Sequence, residues 1–122
     1  MNARHSVLVV EDEPITAMYV SRLLSTDYRV VGVASSGEEA IRLNSEESPD
    51  LILMDIRLEG EMDGIEAARH IMESSKPHIV FCTAYATTEL GDPVGNGLGE
   101  AILDKPLRPE RLLPLLADLS AT

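Results

Sequence analysis

Residues 51–64 read LILMDIRLEGEMDG, and this stretch decides the fold class. Four apolar residues, 51–54, follow the helix-breaking pair Pro49-Asp50. An unbroken apolar run of this length suits a strand covered on both faces better than one with a wet side. The run stops at Asp55. Further on, Asp63-Gly64-Ile65-Glu66 puts an Asp at a helix N-cap with a Glu three positions later, so a helix opens there and extends through about Met72. A buried strand, a charged turn and a helix make one unit of a parallel α/β sheet.

The same unit repeats on either side. Residues 6–10 (SVLVV) form a β-branched apolar run, and Pro14 suits the first turn of a helix carrying Ile15, Met18, Tyr19 and Leu23 at helical spacing. Residues 28–34 (YRVVGVA) read as a second strand. Ser36-Gly37-Glu38-Glu39 is a capping box ahead of Ala40, Ile41 and Leu43. Residues 78–82 (HIVFC) form a fourth strand after Pro77, and residues 101–103 a short fifth. A last helix starts at Pro109 with Leu112, Leu113, Leu116 and Leu119. Five alternations predict a five-stranded parallel sheet with helices on both faces, and right-handed crossovers leave few topologies.

Bulk composition bounds the function. The 122 residues suit one domain, read as spanning residues 1–122. Aromatics are only 3%, so aliphatic residues must build the core. A net charge of -11 argues against direct contact with nucleic acid or an anionic membrane, both of which need a basic footprint. No apolar run approaches the ~20 residues of a membrane span. The first residues, MNARHSVLVVEDE, lack the small-residue cleavage site of a signal peptide. The single cysteine, Cys82, has no internal partner, which is compatible with the cytoplasm.

In such sheets the ligand site lies beyond the carboxyl ends of the strands. Those ends carry coherent chemistry: Glu11-Asp12-Glu13 after the first strand, Asp55 after the third, Thr83 after the fourth, and Asp104-Lys105-Pro106 after the fifth. Like charges ~4 Å apart repel by about 4 kcal/mol at an intermediate dielectric, and a divalent cation removes that cost. Mg²⁺ fits, because it takes oxygen ligands and is held by one or two carboxylates plus a phosphate. Asp55 is then a nucleophile beside a metal. Thr83 is placed to donate to a phosphoryl oxygen, and Lys105 supplies a point charge. Pro106 restricts Lys105 to extended geometry and helps fix its direction.

The stretches VLVVEDEP, LILMDIRLEGEMDG, FCTA and LDKP, in this order, resemble the four signatures of the response-regulator receiver family across essentially the whole chain. The resemblance implies a flavodoxin-like sheet of order 2-1-3-4-5. It implies that Asp55 accepts a phosphoryl group from a histidine kinase or phosphotransfer protein, for a downstream partner or fused output domain. Asp12, Asp55 and the backbone carbonyl of Arg57 would bind Mg²⁺ (or Mn²⁺), with Glu11 acting through water. Thr83 and Lys105 would follow the added charge, and the Lys105–Pro106 bond would be cis. The reading is of a switch rather than an enzyme, with slow autodephosphorylation its only turnover. A phosphatase of the haloacid dehalogenase type uses similar groups, but its nucleophile follows the first strand and a second Asp lies two residues on. Here Arg57 occupies that second place.

Some positions depart from the family pattern. The stretch DIRLEGEMD is one residue longer than the commonest form. Ile102 stands where an aromatic switch residue is often found, which leaves Tyr85 as the nearby candidate. Between the fourth and fifth strands, Gly91, Pro93, Gly95, Gly97 and Gly99 oppose the helix expected there, each Gly by about 1 kcal/mol and Pro by about 3 kcal/mol. A short or broken fourth helix with a mobile segment over 91–99 is predicted. Pro114 is expected to delay or kink the last helix. Both disruptions fall on a face that many receivers use for dimerisation, so the usual dimer is in doubt.

Overall fold

The computed structural model describes residues 5–84 and 93–121. Its strands are β1 (Ser6–Val10), β2 (Arg29–Ala34), β3 (Leu51–Asp55), β4 (His78–Thr83) and β5 (Ala101–Asp104). Its helices are α1 (Pro14–Leu24), α2 (Gly37–Glu47), α3 (Gly64–Ser74) and α4 (Pro109–Ser120). All strand pairings are parallel, in the order β2-β1-β3-β4-β5.

Successive strand side chains point to opposite faces, so each buried strand feeds two cores. Val7, Val9, Leu51, Leu53, Val80 and Cys82 pack with Val20 and Leu24 of α1 and Leu112 and Leu116 of α4. The alternate residues Leu8, Val10, Ile52, Met54, Ile79 and Phe81 pack with Ala40 of α2 and Ala67, Ala68 and Ile71 of α3. Three central strands wet on neither side explain why their sequences are continuous apolar runs.

The local signals act as read. Ser36 Oγ accepts from the Glu39 amide at 3.1 Å, and Asp63 Oδ1 accepts from the Glu66 amide at 2.9 Å. The return bond of the capping box is displaced by one residue: Glu39 Oε1 takes the amide of Ser35, not Ser36, at 2.7 Å.

Two readings need adjustment. In α1 the residues facing the core are Ala17, Val20 and Leu24. Ile15, Met18 and Tyr19 form a second apolar face turned to solvent, Ile15 being 78% exposed. Pro114 does not delay α4, which begins at Pro109 and runs through it. Pro114 is exposed, so the carbonyl its missing N–H leaves unpaired lies on the solvent side where water can satisfy it. Residues 93–99 form turns in which the amides of Leu98 and Gly99 donate to the Pro93 carbonyl, while Tyr85 and the rest of the expected fourth helix, residues 85–92, lie outside the described residues.

Candidate functional site

The sheet register brings the strand ends together. Asp55 is the last residue of β3 and lies level with Cys82, one position short of Thr83, the buried last residue of β4. The Lys105 amide donates to the Thr83 carbonyl at 2.8 Å, which locks the start of the β5–α4 loop to the end of β4. The Lys105–Pro106 bond is cis.

Lys105 Nζ then reaches two carboxylates at once: Glu11 Oε1 at 2.6 Å and Asp55 Oδ2 at 2.8 Å. Glu11 and Asp55 are both buried. The second oxygen of Glu11 accepts from the Glu13 amide at 3.1 Å, and Asp55 Oδ1 accepts from the Arg57 amide at 3.1 Å. Asp12 is half-buried, and its Oδ2 accepts from the Glu59 amide at 3.2 Å.

Charge explains the protonation pattern. Burial pushes the Asp55 carboxyl up to about 6; the neighbouring Glu11 charge adds to this, while Lys105 and the Arg57 amide oppose it. Burial also pushes Glu11 up, but Lys105 and the Glu13 amide outweigh it and hold Glu11 below its usual value. Burial alone would lower Lys105; bonds to Asp55 and Glu11 hold it above its usual value. Lys105 thus bridges two buried carboxylates, and of the two it is Asp55 that burial holds above its ordinary value.

One oxygen each from Glu11, Asp12 and Asp55 lie within 4.8 Å of one another. Three carboxylates against one ammonium leave an excess of two negative charges. The donors are all hard oxygens, and each of the three carboxylates is partly committed to a backbone amide. This set fits a hydrated Mg²⁺ or Mn²⁺ and suits no soft metal.

In the sequence Gly64 is only part of a cap, yet it is what lets α3 start where it does. Its amide donates to the Ile56 carbonyl at 2.8 Å. A Cβ at Gly64 would sit 2.1 Å from the Asp55 carbonyl oxygen, so only glycine allows the helix to abut the end of β3. The outer face of α1 also borders the site. Ile15, Thr16 and Tyr19 line a groove of about 570 Å³ with Glu13, Ala84, Lys105 and Pro106. Helical spacing detects α1 but cannot say which apolar stripe faces inward. Cys82 is buried, and burial pushes its thiol up, as befits an inert core residue. His5, His70 and His78 lie away from the cluster, opposite Asp50, Glu73 and Glu100 respectively.

Comparison with known proteins agrees with this geometry. The response regulator receiver domain family matches residues 7–117. The positive alginate biosynthesis regulatory protein of Pseudomonas aeruginosa is 36% identical over 119 residues, 94% of this chain and 47% of that protein. The transcriptional regulatory protein PdtaR of Mycobacterium tuberculosis is 33% identical over 111 residues, 90% of this chain and 54% of that protein. The signal receiver domain of a modulated diguanylate cyclase from Desulfovibrio desulfuricans superposes with a TM-score of 0.87 at 30% identity, covering 96% of this chain and 94% of that one. The chain belongs to the response regulator receiver domain family, whose members act in phosphorylation-dependent two-component signalling. It spans about half the length of the two curated relatives named above. Among the described residues no helix is long and apolar enough to cross a membrane.

Proposed function

We propose that Asp55 is the phosphoacceptor, taking a phosphoryl group from the phosphohistidine of a histidine kinase or phosphotransfer protein. The observation that carries this is the double engagement of Lys105, which ties the buried Asp55 to Glu11 in a cluster able to hold a divalent cation. An Asp55 oxygen attacks phosphorus, the P–N bond breaks, and the imidazole leaves with its electron pair. Asp12, Asp55 and the Arg57 carbonyl would hold the cation, and Glu11 would act on it through water. Bound Mg²⁺ (or Mn²⁺) supplies positive charge to the transferring phosphoryl oxygens. Lys105 and Thr83 supply the remaining donors.

Phosphorylation adds about -1.5 to -2 charges at Asp55. Lys105 must then divide itself between Glu11 and the new phosphoryl oxygens, and Thr83 gains an acceptor. These differential contacts are what can bias the neighbouring surface between two states. The role is a switch, with slow autodephosphorylation its only turnover. Ile102 is aliphatic and 41% exposed, so no aromatic moves there, and Tyr85 takes that part in the proposal. Tyr85→Ala with unaltered partner binding after phosphorylation would remove it.

The donor docks on the outer face of α1. Ile15, Met18 and Tyr19 are large, exposed and apolar, and the groove that Ile15 and Tyr19 line shares Lys105 with the Asp55 cluster. The signal passes to a downstream protein or a fused output domain, in the cytoplasm. The test is incubation with acetyl phosphate and Mg²⁺ followed by intact-mass measurement. One labile phosphoryl group is expected on the wild type and none on Asp55→Asn. Equal labelling of both proteins would place the acceptor elsewhere.

A further inference from the structure

The loop between β3 and α3 donates two amides two residues apart to carboxylates that come from different strands. Arg57 N–H donates to Asp55 Oδ1 at 3.1 Å, and Glu59 N–H donates to Asp12 Oδ2 at 3.2 Å. The loop is anchored on its far side. Leu58 and Met62 pack against the core under α2 and α3, and Met62 lies so close to Gly37 that a Cβ there would stand 2.8 Å from its Cγ. Asp12 follows β1 and is half exposed. Unlike Glu11 and Asp55, it has no bond from Lys105. Among the described residues, the Glu59 amide is what tethers its carboxylate across the gap to β3.

From this we infer that the Glu59 backbone amide is a positioning group for the metal. It occupies Asp12 Oδ2, holds the carboxylate in place, and so sets the separation of the Asp12 and Asp55 carboxylates before a cation arrives. Preorganising a ligand in this way removes an ordering cost from binding, and partners that orient metal ligands commonly govern affinity by ten-fold or more. The group involved is the peptide N–H, so the glutamate side chain is dispensable. The inference rests on the proposed Mg²⁺ site.

The test compares Mg²⁺ affinity, by isothermal titration calorimetry, for the wild type, Glu59→Pro and Glu59→Ala. Proline removes the N–H, whereas alanine keeps it and removes only the side-chain charge. The proline variant is expected to bind about ten-fold more weakly and the alanine variant within about two-fold of wild type. Wild-type affinity in a folded proline variant, or an equal loss in both variants, would overturn the inference and leave the metal site standing. A wild type that binds no Mg²⁺ would overturn both together. If the proline variant does not fold, the Glu59 amide resonance decides the matter without it. In ¹⁵N-resolved spectra without metal that proton should move upfield and exchange faster in Asp12→Ala than in wild type, and an unchanged resonance would refute the tether.

Discussion

Asp55→Asn should make the metal-free protein more stable at neutral pH, although it removes the proposed functional centre. Burial raises Asp55 from 3.8 to about 6. A group whose folded value is raised contributes stability that is fully present below its unfolded value and lost as pH rises through the folded one. The difference of about two units, at about 1.4 kcal/mol each, sets a ceiling near 3 kcal/mol on what the ionised carboxylate costs at pH 7.5. Asparagine keeps an oxygen for the Arg57 amide or Lys105, and Lys105 keeps Glu11. That ceiling is already net of Lys105, which opposes the rise, but asparagine is an imperfect stand-in for the neutral carboxyl and recovers only part of it. A net stabilisation of about 1–2 kcal/mol is expected in EDTA at pH 7.5. It should shrink steadily towards pH 4.5, where Asp55 is protonated in the folded protein. Millimolar Mg²⁺ should close the gap from the other side by stabilising the wild type alone. Urea unfolding at the two pH values, with and without Mg²⁺, measures all of this. A variant less stable than wild type in EDTA at pH 7.5, or a difference that ignores pH, would show that the Asp55 charge is adequately compensated.

Three further outcomes follow from the same contacts. Gly64→Ala drives a methyl group into the Asp55 carbonyl and should cost about 3 kcal/mol in urea unfolding, whereas an ordinary helix-start glycine would tolerate alanine. Lys105→Met leaves Glu11 and Asp55 buried without their cation, so a loss of about 3 kcal/mol is expected at pH 7.5. That loss should be smaller at pH 4.5, where protonation relieves the two acids, and the comparison by urea unfolding checks it. Tyr19→Ser should slow phosphoryl transfer from a histidine donor while leaving acetyl phosphate labelling and stability within about 0.5 kcal/mol of wild type, because Tyr19 is half exposed. Equal slowing with both phosphodonors would move the docking surface off α1.

The fold was legible because its signals are local and agree with one another. Unbroken apolar runs at 51–54 and 78–82 already imply strands covered twice, and the two cores divide along the odd and even residues of those runs. The ends of the strands then had to converge, so Glu11, Asp12, Asp55, Thr83 and Lys105 could be assigned to one edge. What remained hidden depends on distances between elements. Nothing in Asp63-Gly64 distinguishes a cap from a backbone collision avoided by the lack of a Cβ. Nothing in the spacing of Ile15, Met18 and Tyr19 distinguishes an inner stripe from an outer one, since the small Ala17 carries much of the inward face. The sequence pairs Lys105 only with an incoming phosphate. That it already holds Glu11 at 2.6 Å depends on the register of β1 and β5 across three intervening pairings.

The separation of the two faces of α1 has a consequence for how such a protein changes over time. Ala17, Val20 and Leu24 keep the helix seated, while Ile15, Met18 and Tyr19 contribute little to holding the chain together. Substitutions on the outer trio are therefore nearly free of folding penalty. If that trio chooses the upstream donor, duplicated copies could drift to different donors and become insulated from one another without first becoming unstable. A designer could exploit the same freedom by randomising those three positions and selecting for orthogonal wiring.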